Sequence, residues 1–82
     1  MVMMEIVFTA AATRQWINLS ADARRRLNAK LLELARTGQG DIKRLKGRAG
    51  SRLRVGEWRI IFDIEGNQLV GVAVAHRREV YR

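Results

Sequence analysis

The chain contains no cysteine, so neither a disulfide nor a thiolate metal site can staple it. That absence fits a reducing, cytoplasmic setting. No uncharged apolar run approaches the roughly 20 residues needed to span a bilayer, and the opening MVMMEIVF is followed by polar residues rather than a cleavage signature. A soluble protein with no membrane role is the expectation. Other motifs are missing too: there is no glycine-rich phosphate loop, no paired His or Cys at metal-ligand spacing, and no serine or cysteine beside a base. No metal and no cofactor is therefore expected. Acidic residues are scarce as well, 8 Asp and Glu against 16 Lys and Arg, for a formal charge of +8. With 82 residues the chain suits one small domain, 1–82, and a domain of this size buries only about 60% of its unfolded surface. A polyanionic partner fits the charge.

What is present is arginine, and it is unevenly placed. Residues 1–41 hold six cations and four anions, whereas residues 42–82 hold ten cations and four anions. In chain order, Met4 to Phe8 is rich in β-formers and reads as a first strand. Thr9 can cap a short helix with Ala12, Trp16 and Leu19 on one face. Trp16 reads as a core anchor rather than a base-stacking platform. Ser20 caps a second helix, with Asp22 in its first turn and Ala23, Leu27, Leu31 and Leu34 as its apolar stripe, ended by Gly38. The run Arg24-Arg25-Arg26 reads as a solvated face with secondary contacts to phosphate as the alternative. Two amphipathic helices in a hairpin need a sheet to cover.

From Asp41 to Gly50 the chain is basic, glycine-containing and aperiodic, and reads as a loop or irregular edge segment. Its cations serve either as phosphate anchors or as guards against edge pairing.

Strand parity carries the reading of the remainder. Leu53 and Val55 form the apolar side of one strand, leaving Arg52 and Arg54 opposite. After a Gly56-Glu57 turn, Trp58, Ile60, Phe62 and Ile64 alternate as an apolar face, with Arg59, Ile61 and Asp63 on the other. After Gly66-Asn67, Val70, Val72 and Val74 are expected inward, with Leu69, Gly71, Ala73, Ala75 and then Arg77 outward. Arg52, Arg54, Arg59 and Arg77 thus share one expected sheet face. Gly71 and Ala73 would leave a shallow basin beside them, suited to a phosphate backbone. The bland alternative is a solvated outer face.

The chain closes on His76, Arg77, Arg78, Glu79 and Tyr81. Cutting RNA without metal needs a base for the 2′-OH proton, cations for the charge growing on phosphorus, and an acid for the leaving oxygen. Histidine and tyrosine are candidate proton carriers, and arginine supplies charge.

The order strand, helical hairpin, then L-K-G, S-R-L-R-V-G-E-W-R-I-I-F and terminal H-R-R-E-V-Y resembles the RelE/ParE superfamily of bacterial toxin-antitoxin toxins, nearest its RelE-type branch. The likeness spans the whole chain and is strongest from Leu45 to Tyr81. It implies an α+β, microbial-ribonuclease-like fold: an N-terminal strand, a helical hairpin and a curved antiparallel three-strand meander. It also implies a metal-independent endoribonuclease that cuts messenger RNA in the ribosomal A site, held inactive by an antitoxin protein.

Carried over by resemblance, Arg52 and Arg54 stand where relatives often have lysines, which disfavours a lysine proton relay. Arg59 is expected on the scissile phosphate, Arg77 is the basic residue after the last strand, and Tyr81 is a candidate general base. His76 is the alternative proton carrier. Lys46, with Arg48 and Arg78, is expected to contact RNA. The sequence runs one residue past Tyr81, so a helix that some relatives place there has no counterpart and Tyr81 is expected to be loosely held. Two other readings stay open: a ParE-type gyrase inhibitor that cleaves nothing, and a non-catalytic basic RNA-binding module.

Overall fold

Two hydroxyl caps set where the helices start. Thr9 and Ser20 have extended backbones, and their side-chain oxygens accept hydrogen bonds from the Ala12 and Ala23 amides at 3.2 and 3.1 Å. Helices α1 (Ala10–Ile17) and α2 (Ala21–Thr37) therefore begin where capping chemistry places them. Gly38 ends α2 at φ 76°, donating its N–H to the Leu34 carbonyl at 2.8 Å. This computed structural model describes residues 3–76.

Five strands form one mixed sheet: β1 (Glu5–Phe8), β2 (Ile42–Arg44), β3 (Ser51–Val55), β4 (Trp58–Glu65) and β5 (Gln68–His76), in the order β1-β5-β4-β3-β2. β1 lies parallel to β5, and the other neighbours are antiparallel. The two hairpin turns have two residues each, with φ near +60° at Gly56 and Gly66 and at no non-glycine residue. That pattern matches a type II′ turn, whose twist suits a hairpin. The helices cover one sheet face. Leu27, Leu31 and Leu34 of α2 meet Leu53, Ile60, Phe62, Leu69 and Val74 of the sheet in a single buried cluster. Trp16 packs against it as a core anchor, its ring edge-on to Phe8 with centroids 5.2 Å apart.

Three expectations need correction. Within the stretch read as a loop or irregular edge segment, residues 42–44 lie at the edge but as a regular strand, β2, which pairs Ile42 with Leu53, Lys43 with Arg52 and Arg44 with Ser51. A three-residue strand with one apolar member is too short for periodicity to reveal. The inward residues of β5 also differ from the expected set. A bulge pairs Ile61 with Ala73 but Phe62 with Gly71, making Val72 an extra residue. One extra residue reverses every side chain beyond it. Leu69 is therefore buried in the core, Gly71 faces the helices, and Val70 sits opposite Asp63 on the outer face. Ile64, expected in the core, is 52% exposed one pair from the hairpin tip.

Phe8 accounts for the glycine at the bulge. A Cβ on Gly71 would lie 2.6 Å from Phe8 Cδ1, so only glycine lets that ring lie flat on the sheet. Gly71→Ala is expected to destabilise the fold by about 1–3 kcal/mol in thermal or urea unfolding. Adding Phe8→Leu should recover part of that loss. Full additivity of the two changes would show that the ring is not the constraint.

Candidate nucleic-acid interface

The inward burial of Leu53 and Ile60 forces their neighbours outward. Leu53 pairs with Ile60, so Arg54 pairs with Arg59 and Arg52 with Ile61, and β2 adds Lys43 beside Arg52. Lys43, Arg52, Arg54 and Arg59 thus occupy the sheet face turned away from the helices. Ala73 and Ala75 lie beside them, opposite Ile61 and Arg59. Gly71, expected to leave a shallow basin on this face together with Ala73, faces the helices instead, and the small residues beside the arginines are Ala73 and Ala75.

Each arginine is held differently. Arg59 is 7% exposed, and its Nη1 donates to the Gly56 and Trp58 carbonyls, both at 2.9 Å. The guanidinium is fixed against the β3–β4 turn rather than waving in solvent. Arg54 donates from Nε to Asp41 Oδ2 at 2.6 Å, while its own amide donates to the Asp41 carbonyl at 2.9 Å. Both of these side chains are 55% exposed. Arg52 is half-buried and, with Lys43, Arg44, Leu45 and Lys46, walls an open cavity of about 420 Å³. Lys46 therefore joins this surface. Arg48 is exposed in the loop between β2 and β3 and is not part of that wall. The cavity is rich in cations, with no carboxylate in its lining among the described residues, the electrostatics of an anion site.

His76 lies elsewhere. It pairs with Trp58, so its ring projects to the helix side of the sheet, whereas Arg59 and Ala75 project to the other. There it meets the Trp58 ring edge-on with centroids 5.5 Å apart, and its Nε2 is 3.9 Å from Glu57 Oε2. The structure does not bring His76 to the arginine face. Arg77, Arg78 and Tyr81, the remaining expected site residues, lie outside the described residues. Two contributors were missed from sequence: Asp41, which holds Arg54, and Lys43, which extends the cationic row. The only signal for either was the charged-apolar-charged alternation of Asp41-Ile42-Lys43.

Residues 6–81 match the model of the family described as ParE toxin of type II toxin-antitoxin systems, parDE. The chain belongs to this family. As a toxin of a type II toxin-antitoxin system, it shares its fold with solved RelE proteins. It is 26% identical to a chain of the RelBE2 toxin-antitoxin complex from Mycobacterium tuberculosis, with TM-score 0.80 and 94% of each chain covered. For the RelB-RelE complex of Methanococcus jannaschii the identity is 24% and the TM-score 0.75, over 92% of this chain and 94% of that one. Against a free RelE mutant from E. coli the values are 21% and 0.73, over 98% of this chain and 92% of that one. No curated protein matches the toxin. Its α+β fold of two helices and a five-strand mixed sheet is that of the RelE structures, and no described helix is long and apolar enough to cross a membrane.

The Arg54–Asp41 pair gives the toxin surface a measurable property. Asp41→Asn should release Arg54 for phosphate while changing stability by less than about 1 kcal/mol, because the pair is exposed. The log–log salt dependence of single-stranded RNA binding should steepen by about 0.7, one further phosphate contact. An unchanged slope would show that Asp41 does not withhold Arg54.

Proposed function

We propose that this toxin is a ribosome-dependent, metal-independent endoribonuclease that cuts messenger RNA in the A site. The observation that carries this reading is the set of arginines on one sheet face, with Arg59 fixed by two carbonyls. Catalysis gains most from cations already aimed where charge develops, since they need no reorganisation during the reaction. In the proposed reaction a 2′-OH loses its proton to a base and its oxygen attacks the adjacent phosphorus. The bond from phosphorus to the 5′-oxygen breaks, leaving a 2′,3′-cyclic phosphate, and the departing 5′-oxygen takes up a proton from an acid to become a hydroxyl. Arg59 and Arg52 carry the growing charge on the non-bridging oxygens, and Arg54 follows once phosphate displaces Asp41. Lys43, Lys46, Arg48 and Arg78 grip flanking phosphates. Arg77 follows β5 by sequence and assists at the leaving oxygen. Tyr81 is favoured over His76 as base, because the Trp58–His76 pairing turns the imidazole to the opposite face.

A ribosomal substrate places the toxin in the cytoplasm. Solved relatives are complexes of RelB with RelE, and by analogy an antitoxin restrains this chain, either by covering the cationic face or by displacing the C-terminal residues. The ParE name of the matching family supports a second reading, gyrase inhibition without cleavage.

Incubation with translating ribosomes, followed by mapping of transcript ends, tests the proposal: codon-positioned cuts are expected. Intact transcripts together with inhibited gyrase would overturn it in favour of the second reading. Arg59→Ala should slow cleavage by about 100-fold or more, on the order of 3 kcal/mol, while ribosome binding, spread over many phosphates, changes little. Because Arg59 also ties the β3–β4 turn, Arg59→Lys and a melting curve accompany it. Cleavage unchanged in both variants would remove Arg59 from the site. Tyr81→Phe should lose most activity and His76→Ala little; the reverse order would exchange their roles.

A further inference from the structure

Beyond Gly71, no strand among the described residues pairs with the outer side of β5. β1 pairs with it only as far as the Phe8–Gly71 register, and α1 runs beside the remainder. Side chains take over the ladder there: Thr9 Oγ1 donates to the Val72 carbonyl at 3.2 Å, and Gln15 Oε1 accepts the Val74 N–H at 2.7 Å. The Val74 carbonyl points to this same edge, because in an antiparallel pair both polar groups of a residue face the same side. At this edge lies a cavity of about 260 Å³ lined by Gln15, Asn18, Leu19, Trp58, Val74 and Ala75. Among the described residues no charged side chain lines it, and carboxamides and an aromatic ring are its polar and apolar content.

The contents of this cavity are an aromatic ring, two carboxamides and a strand edge. Gln15 is oriented by its bond to Val74, which aims its amide nitrogen away from the strand. Asn18 ends α1, where its backbone makes the capping contact. Together with the Val74 carbonyl these groups supply donors and an acceptor around an apolar floor, the complement of a nucleobase edge. The volume falls below the roughly 300–1,000 Å³ of pockets that enclose larger ligands, which fits a single flat ring. One lining residue also belongs to the other face: Trp58 and Val74 point to the helix side, but Ala75, opposite Arg59, points to the cationic side, so the edge of β5 at Ala75 borders both the cavity and the arginine face.

We propose that this edge pocket receives one unstacked base of single-stranded RNA whose backbone lies on the Arg52, Arg54 and Arg59 face, with the chain turning over the edge of β5 at Ala75. The base rests against Trp58 and bonds with Asn18, Gln15 and the Val74 carbonyl. This rests on the reading of the outer face as an RNA site, and it gives the toxin a base-specific contact that the cationic face alone lacks.

The test uses RNA trinucleotides carrying a 2′-deoxyribose at the first and second positions, the two that precede a phosphodiester, so that they bind without being cut. The reporter is the indole N–H NMR signal of Trp58, assigned against Trp58→Phe and separate from that of Trp16, the other tryptophan. The Trp58 signal should shift to saturation, and an abasic residue at one of the three positions should abolish the shift while binding persists. Asn18→Ala and Gln15→Glu, the latter keeping an acceptor for Val74, should each weaken the intact trinucleotide by about threefold to tenfold. Equal shifts from abasic and intact strands, or unchanged affinity in both variants, would overturn the assignment. So would silence of Trp58 at millimolar trinucleotide, which would leave the pocket to a side chain of a protein partner. The ribosome assay separates this from the nuclease reading. A base-dependent Trp58 shift without transcript cleavage defeats the nuclease and keeps the pocket, whereas cleavage with a silent Trp58 does the opposite.

Discussion

Sealing Leu53, Ile60 and Val74 against the leucines of α2 is the constraint on which the functional surface depends. These three residues sit side by side across β3, β4 and β5, and all are essentially excluded from water. Because side chains alternate along a strand, fixing that row inward fixes the next row outward. Arg54 and Arg59 then become direct cross-strand neighbours, with Ala75 beside them. A slip of one residue in β3 or β4 would bury arginines and expose leucines, so the hydrophobic effect that folds the domain also sets the geometry of its cations.

Placing two arginines opposite one another opposes stability, since like charges across a ladder repel. The toxin offsets this locally. Asp41 takes one guanidinium, and the Gly56 and Trp58 carbonyls take the other. Neither arrangement is needed to fill the core, which closes on the far side of the sheet. An unfavourable pair kept in place by dedicated partners fits a surface built to meet an anion. It also separates two kinds of cation here: Arg59, nearly buried and held by carbonyls, and Arg54, exposed and paired with a carboxylate.

The bulge in β5 has a comparable double consequence. By adding Val72 it lets Leu69 complete the lower core and sets Gly71 under the Phe8 ring, while leaving Val74 and His76 in phase with Ile60 and Trp58. The same strand outruns β1 and leaves an edge finished by Thr9 and Gln15 rather than by a ladder. Membership in the ParE toxin family and the close likeness to RelE folds describe the scaffold. The edge cavity and the Arg54–Asp41 pair are built by particular side chains on that scaffold.

Much of this was legible in the sequence for local reasons. Thr9, Ser20 and Gly38 have capping chemistry that acts within one turn, the stripe of Leu27, Leu31 and Leu34 repeats at the helical period, and the alternation of Arg52, Leu53 and Arg54 needs only a strand's geometry. The shared face of Arg52, Arg54 and Arg59 followed from those patterns. What only the tertiary structure decided depends on contacts distant in sequence. Phe8 pressing on Gly71 fixes the bulge that turned Val70 outward and Leu69 inward. The pairing of Ile42 with Leu53 made a strand of a segment too short to announce itself. Asp41 reached Arg54 across that new edge. The sequence by itself determined which residues carry charge and which must be buried; the fold determined which partners hold Arg54 and Arg59, and on which side of the sheet His76 lies, because these follow from register between strands and not from any one strand's pattern.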